Sequence, residues 1–243
     1  MKNILQIILI TFFTFAISSC AKKEDDATTT STATGSGTTA SGTITGSGTG
    51  SGAGAALTGT YHMSWYGAEP SGGCIDNSTA LSQLSPPSDT SGIKVEFIVS
   101  ANNKFTNSIQ WYSDASCTTL TGYMNIGYTD AAVGDAVTGL TAGSSPTKPT
   151  TAYKFTYKNE GIGLMAQTDA TLAYFSTTLG LTLTSGSELL VEDTSPETYY
   201  GLIVHGTVTG SDSQYLFVSS ASTTAYPTDW SSSGREKDTM SIL

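Results

Sequence analysis

Three cysteines, two histidines and one group of carboxylates are the side chains in this sequence best suited to chemistry. Cys20 directly follows an apolar run that ends in Ile17-Ser18-Ser19. Cys74 and Cys117 lie far beyond it, after a long tract of Ser, Thr, Gly and Ala. A thiol can carry a lipid, form a disulfide or bind a metal, so the surroundings of each cysteine decide its chemistry.

The residues before Cys20 have the order of an export signal. Lys2 supplies a positive start, and Ile4–Ile17 is almost wholly apolar, interrupted only by Gln6, Thr11 and Thr14. Its length is that of a signal peptide core and is short for a membrane span. With Ile17-Ser18-Ser19-Cys20 at its end, the segment resembles the signal peptide and lipobox of bacterial lipoproteins. The alternative is an ordinary secretory leader that contains a cysteine.

The resemblance to lipoproteins implies a location and a membrane partner. Residues 1–19 would be the signal peptide, and Cys20 would become the mature N-terminus, carrying a diacylglyceryl thioether and an N-acyl chain. Several acyl chains hold a protein stably on a membrane, whereas one is marginal. The predicted location is the outer membrane of a diderm bacterium, on the periplasmic face or at the cell surface.

Cys74 and Cys117 remain once Cys20 is assigned to the lipid. In an oxidising envelope compartment such a pair most simply forms a disulfide. The alternative is a pair of metal ligands, but neither cysteine has a His or another Cys close by in sequence. We therefore predict a Cys74–Cys117 disulfide.

The remaining candidates predict no catalytic site, no metal site and no cofactor. His62 and His205 lie in predicted strands, where a polar-face or core position is the usual role, and no Gly-x-Ser-x-Gly elbow is present. Glu192-Asp193 and Glu197 could face calcium, but their spacing matches no EF-hand loop and favours a solvated loop. The glycine-rich tract has no phosphate-binding pattern. The sequence thus indicates a protein that is not an enzyme.

Composition describes an acidic, exported domain of ordinary size. Without the leader and the tract about 185 residues remain, enough for one core. The net charge of −10 argues against nucleic acid or anionic head groups as partners, because both would be repelled. Residues 20–56, with little to bury, are predicted to be the lipidated end and a flexible tether, and residues 57–243 to be the folded domain.

Alternating apolar residues predict strands through this domain. The clearest are Leu57–Tyr66, Ile93–Val99, Phe105–Tyr112 and Cys117–Tyr128. Further predicted strands cover 153–157, 162–167, 181–183, 189–191, 199–208, 215–219 and 240–243, with turns at 101–104, 159–161 and 210–213. Residues 67–90 and 130–150 are predicted to be long loops.

One helix is expected among the strands. Asp169 can cap it, Leu172, Phe175 and Leu179 share a face, and Gly180 can end it. We expect this helix to be a lid or plug on the end of a sheet or barrel.

These elements predict an all-β fold: an antiparallel meander of about 8–10 strands closed into a barrel, with one short helix. At this level the domain resembles a lipocalin-like (calycin) barrel. Gly59-Thr60-Tyr61 is similar to that family's Gly-x-Trp, and Thr228-Asp229-Trp230 with Arg235 is similar to its Thr-Asp-Tyr and late Arg. The helix precedes the last strands, unlike in the family. The resemblance implies a cup for a small apolar molecule or an acyl chain.

Two functions follow from this architecture. The first is a lipid-anchored barrel that binds a small hydrophobic ligand through inward aromatic side chains: Tyr61, Trp65, Phe97, Trp111, Tyr153, Phe155 and Phe217. The alternative is a surface interaction protein or adhesin with a filled core, which binds a protein partner through the loops 67–90 and 130–150.

Overall fold

The computed structural model describes residues 40–46, 56–63, 73–76, 78–141, 149–207, 214–219, 221–230 and 240–242. Cys20 with the leader 1–19, Trp65, Arg235 and the predicted turn 210–213 lie outside these residues. The expectations placed on them remain predictions.

Nine strands and two helices form the described part of the chain. The strands are β1 (Thr60–Met63), β2 (Gly92–Ala101), β3 (Lys104–Tyr112), β4 (Leu120–Thr138), β5 (Thr151–Ala166), β6 (Glu188–Glu192), β7 (Thr198–Thr207), β8 (Gln214–Val218) and β9 (Met240–Ile242). The helices are α1 (Ser78–Leu84) and α2 (Asp169–Leu179).

The strands pair as an antiparallel, nearly closed barrel. Around the ring the order is β1-β2-β3-β4-β5-β7-β8-β9, and β9 pairs back with β1. β6 pairs with the second half of β5 and stands beside the ring. The predicted all-β antiparallel barrel is confirmed, and eight strands in the ring match the number typical of the barrel that the sequence resembles.

The β2–β3 hairpin follows directly from its alternating sequence. Phe97 pairs with Asn107 and Val95 with Ile109, so apolar side chains of both strands face the same core. The turn between them places Asn103 at φ 55, a left-handed conformation that Asn tolerates better than most residues. Strand and turn boundaries here agree with the prediction to within one or two residues.

β4 and β5 are longer than predicted. Residues from Asp130 to Thr138 continue β4, where a loop was expected, and Asn159-Glu160-Gly161 lies inside β5, where a turn was expected. Both predictions were wrong because register shifts along the β4–β5 pair break the strict alternation of apolar residues. Ile162–Ala166 therefore continues β5 and is not its hairpin partner.

Three smaller elements also differ from the prediction. α1 lies inside the expected loop 67–90, with Leu81 and Leu84 packed against the core. Residues 181–183 form no strand, whereas 189–191 lie in β6 as expected. The N-cap of α2 is Thr168, whose side chain accepts a hydrogen bond from the backbone N–H of Thr171, and Gly180 ends the helix at φ 66 as predicted.

α2 packs on one end of the barrel, as expected. Phe175, which is fully buried, contacts the ring of Trp111 with centroids 5.6 Å apart, and Tyr174 contacts the same ring at 5.4 Å. Trp111 pairs with Gly122 near the start of β4. The helix therefore covers the end of the barrel where β3 ends and β4 begins.

Residues 40–46 of the expected tether lie against the other end of the barrel. Ile44 exchanges two backbone hydrogen bonds with Leu57, of 3.0 and 3.2 Å, and both side chains are fully buried. Thr45 accepts a hydrogen bond from the backbone N–H of Val133 in β4. These residues are thus part of the packed structure, and a free coil was the wrong expectation for them.

Candidate functional site

The interior of the barrel is the first candidate site, because the sequence places its aromatic side chains there. Tyr61, Phe97, Trp111 and Phe155 lie in the main core cluster, and Tyr153 is partly buried against it. Phe217 lies instead in a second cluster with Trp230, Leu202 and Val204. Its neighbour Leu216 belongs to the main core, so Phe217 faces the other side of β8.

Phe105 is the centre of the interior, although it is not among the aromatic residues predicted from the sequence to line it. Its ring stacks on Phe97 and on Tyr128, each with centroids 4.5 Å apart, and contacts Phe155 at 5.5 Å and Tyr157 at 5.2 Å. The faces of Phe105 are therefore occupied by other rings of the chain. Its alternation with Ile109 and Trp111 along β3 is the signal that marks it as inward.

Buried tyrosine hydroxyls add polar groups to this apolar interior. Burial raises the pKa of Tyr128 and Tyr157 well above the ordinary value, and it raises the pKa of Tyr61 to about 12. A hydrogen bond with Asn107 opposes the rise at Tyr128. These hydroxyls therefore stay uncharged at neutral pH and can act as hydrogen-bond donors, but not as anionic nucleophiles.

A second candidate site is a polar cluster on the outer face of β1, β2 and β3. Tyr61 and Phe97 face the core, so His62 and Glu96, which pair across β1 and β2, face outward. Nδ1 of His62 lies 3.2 Å from Oε1 of Glu96. Both residues are nevertheless buried, each with 8 % of its surface exposed.

β3 extends this polar cluster. Nε2 of Gln110 donates to Oε2 of Glu96 at 2.9 Å and to Oγ of Ser108 at 3.1 Å, and the hydroxyl of Tyr112 donates to Oε1 of Gln110. Burial, and then the charges of Glu96 and Asp114, raise the pKa of Tyr112 to about 12. The Glu96 carboxylate thus accepts a hydrogen bond and faces His62, as a buried charge requires.

A short segment, Gly73–Asp76, covers the cluster; we call it the strap. Cys74 forms the predicted disulfide with Cys117, and Ile75 exchanges two backbone hydrogen bonds with Ile93 of β2. Gly73 passes so close to His62 that a Cβ on it would lie 2.2 Å from the imidazole Nδ1. The strap therefore isolates the His62–Glu96 pair from solvent, and we assign this cluster a structural role.

Gly73→Ala should destabilise the protein by about 1–3 kcal/mol more than Gly186→Ala. Both glycines have a φ of 72°, so the cost of a left-handed alanine is common to the two variants. Only at Gly73 does the new methyl group meet an imidazole, because a Cβ on Gly186 has no neighbour within 4 Å. Urea unfolding of both variants measures the difference in the free energy of unfolding. Equal losses of stability would show that Gly73 is not in close contact with the His62 imidazole.

The other side chains considered for catalysis or metal binding do not form a site in the structure. His205 lies on β7, away from the β1 strand of His62 in the order of the ring. Asp193 accepts a hydrogen bond from the backbone N–H of Ser195, which is a local turn, and Glu197 is exposed. Across the described ranges, no three His, Cys, Asp or Glu side chains are grouped so that they would hold a metal ion.

An open groove of about 240 Å³ lies beside α2. It is lined by Leu172, Ala173, Ser176, Leu181, Thr182 and Leu183. The groove is outside the barrel, and its lining carries no charged side chain. It offers mainly apolar contact, together with the hydroxyl groups of Ser176 and Thr182.

Comparison with known proteins adds no family to this picture. No protein-family model matches the chain. A search of curated proteins likewise finds no match. Among the described residues, none of the helices has the length and apolar character needed to cross a membrane.

Proposed function

We propose that this protein is a lipid-anchored envelope lipoprotein that presents a closed β-barrel as an interaction module. The leader and Ile17-Ser18-Ser19-Cys20 support the anchor, and the Cys74–Cys117 disulfide supports export, because such bonds persist in oxidising compartments. The proposed location is the outer membrane, at the periplasmic face or the cell surface.

The packing of Phe105 is the observation that supports a role for the outer surface of the barrel in recognition. Four rings of the chain contact it, and Phe175 and Ile44 bury their side chains in the same core cluster from opposite ends. A core built in this way favours recognition through the outer surface. The proposed contact regions are the strap with α1 and the connection 139–150 between β4 and β5.

Binding of a small hydrophobic ligand is the second candidate. Its support is that the described core is apolar and aromatic and that its ends are covered by α2 and by residues 40–46, which are not barrel strands. Movement of one of these elements would give access to the core. Of the aromatic residues predicted for this role, those in or against the main core would then act with Phe105 and Tyr128, namely Tyr61, Phe97, Trp111, Tyr153 and Phe155.

Lipid attachment is tested first, because both candidates depend on it. In the host, radiolabelled palmitate should enter the wild-type protein, and Cys20→Ala should abolish both this label and membrane association. Cys74→Ser is the matched control, since it also removes a thiol but should leave the label at full strength. Label that persists in Cys20→Ala would exclude the proposed anchor.

The two candidates for the barrel differ in what accompanies the purified protein. A surface interaction module should be cleaved by protease added to intact cells, and native mass spectrometry should show the mass of the lipoprotein alone. A hydrophobic-ligand protein should show an additional small mass that dissociates in organic solvent. A co-purifying ligand would therefore reverse the order of the two candidates.

A further inference from the structure

The strand β6 leaves a free edge on the sheet. Each strand of the ring has a neighbour on both sides, whereas β6 pairs with β5 alone in the part of the chain that the structure describes. An unpaired strand edge presents backbone N–H and C=O groups that can pair with another extended chain. β6 is therefore a place where a further strand can be added to this protein.

The pairing with β5 determines which backbone groups of β6 lie on the free edge. Asp193 donates its backbone N–H to the carbonyl group of Glu160 in β5 at 3.1 Å. Because successive residues of an antiparallel strand direct these groups to opposite edges, Val191 and Leu189 also bond toward β5. The residues with backbone groups on the free edge are the alternate ones, Glu188, Leu190 and Glu192.

The side chains of these three residues form one exposed row. Leu189 packs against the core, so Leu190 faces away from it. Leu190 is 39 % exposed and is the exposed large apolar side chain of the described residues. Glu188 and Glu192 lie two positions to either side of it and are both exposed. The row thus has an apolar centre and a carboxylate at each end.

Negative charge extends beyond this row at both ends of β6. At one end, the hydroxyl of Tyr123 donates to Oε1 of Glu188 at 2.8 Å and so holds this carboxylate on the outer face. At the other end, burial and then the charges of Glu197 and Asp193 raise the pKa of Tyr199. A partner with positive charge is therefore favoured at this edge.

A second copy of this chain fits the edge poorly. Two β6 strands paired antiparallel about Leu190 would place Glu188 of each copy directly opposite Glu192 of the other. Like charges directly opposite each other in an antiparallel pair are destabilising. The edge therefore favours a strand of a different sequence.

We propose that the free edge of β6 binds an extended segment of another protein, which adds an antiparallel strand and carries Lys or Arg two positions before and two positions after an apolar residue. Main-chain hydrogen bonds to the free edge supply affinity, and the alternate side chains supply specificity, as is general for strand addition. This surface is separate from the strap, α1 and the connection 139–150, and its role does not depend on the lipid anchor.

A fluorescent peptide, Thr-Lys-Thr-Val-Thr-Lys-Thr, is the probe, and its binding to the full-length protein is measured by fluorescence anisotropy. Methylation of the amide nitrogen of its Val removes a hydrogen bond to the edge and should weaken binding about tenfold. Methylation of the next Thr, whose amide points away from β6, is the matched control and should have little effect. Replacement of both Lys by Glu should abolish binding.

Glu192→Lys in the protein should weaken binding of the same peptide about three- to tenfold, because a like charge replaces an opposite charge across the new pair. Asp135→Lys is the matched control. It makes the same change of charge at an exposed carboxylate of β4, beside the half of β5 that does not pair with β6. It should leave binding unchanged.

Hydrogen exchange resolved to single amides reports on the backbone. Peptide binding should protect the amides of Leu190 and Glu192, and leave those of Leu189 and Val191, which already bond to β5, as they were. Binding without this alternation would overturn strand addition.

Two further results would overturn the basic partner. The first is no binding of the Lys peptide, or equal binding of the Lys and Glu peptides. The second is a protected Leu190 amide in the protein alone together with a dimer in sedimentation, which would assign the edge to a second copy. Neither result bears on lipid attachment at Cys20.

Discussion

Phe105→Ala should lower the free energy of unfolding by about 3–5 kcal/mol, which for a domain of this size is a large part of its stability. Phe105 is 2 % exposed and contacts four other aromatic rings. Removing its ring deletes apolar burial and leaves a cavity among side chains on β2, β4 and β5, which the stiff strands cannot close. Urea unfolding followed by tyrosine and tryptophan fluorescence measures the loss.

Phe217→Ala is the matched control for this prediction. Phe217 is also a strand phenylalanine and is 5 % exposed, but the centroid of its ring lies 6.3 Å from that of Trp230, farther than the four rings that surround Phe105. Because aromatic pairs each contribute about 0.5–1.5 kcal/mol beyond their buried area, Phe217→Ala should cost about 1–3 kcal/mol less than Phe105→Ala. Equal costs would show that the ring stack has no special part in the core.

The same two variants test whether the interior can hold an apolar molecule once room has been made for it. A ligand that occupies the interior would have to displace some of the rings around Phe105, and the cavity left by Phe105→Ala would give it room. A small apolar molecule such as benzene should then stabilise Phe105→Ala and leave Phe217→Ala unchanged. This result is expected whichever partner the natural protein binds.

Sequence patterns predicted the parts of this fold whose pairing is local. In the β2–β3 hairpin, Val95 and Phe97 alternate with Lys94 and Glu96, and the partner strand follows after a short turn. α2 carries its own cap and stop: the cap is Thr168, one residue before the predicted Asp169, and the stop is Gly180, as predicted. In both cases the information lies within about twenty residues, so that periodicity and capping are sufficient.

The parts that could not be predicted depend on distant contacts. Asp130 interrupts the apolar alternation of β4 with a φ of 54°, and only pairing with β5 shows that the strand continues. Gly161 resembles a turn residue, but it lies inside β5 with a φ of 152°. A Cβ at this position would be 2.5 Å from the carbonyl oxygen of Val191 in β6. No local pattern contains that contact.

The same reason explains which of the predicted aromatic residues lie in the main core. Alternation identified Tyr61 and Phe97 correctly as core residues, whereas Phe217 needed the register of β8 to show that it faces Trp230. Ile44 was visible as an exception in a polar tract, but its burial depends on Leu57 and on the β2–β3 turn. A single apolar residue has no period, so its role appears only with the tertiary structure.

Removing the disulfide is the second change with a large expected effect. Cys74→Ser/Cys117→Ser should lower the free energy of unfolding by about 2–4 kcal/mol; the chain-entropy model gives about 4 kcal/mol for a separation of 43 residues. The double variant is used so that no unpaired thiol remains at either position. Urea unfolding, with equal slopes checked against the wild type, measures the difference.

Removing the disulfide should loosen the strap, which contains Cys74, and leave the turn that contains Cys117 in place. Cys117 lies in a turn that Asp114 organises by itself, since its carboxylate accepts hydrogen bonds from the backbone N–H groups of Ser116, Thr118 and Thr119. The hydroxyl of Ser116 also donates to Oδ1 of Asp114 at 2.8 Å, and this bond, followed by those from Thr119 and Thr118, holds the pKa of Asp114 well below its usual range. The strap has less support, namely the Ile75–Ile93 bridge and the contact of Gly73 with His62.

We therefore expect the Ile75 and Ile93 amides to exchange faster in the double variant, while the amides of Thr118 and Thr119 remain protected. His62 should at the same time become reactive toward diethyl pyrocarbonate, because the strap is what separates its imidazole from solvent. Asp114→Asn is the complementary variant: it should loosen the turn and leave the disulfide closed. If the turn and the strap open together when the disulfide is removed, they form one cooperative unit, and the strap is not a separate cover over the His62–Glu96 pair.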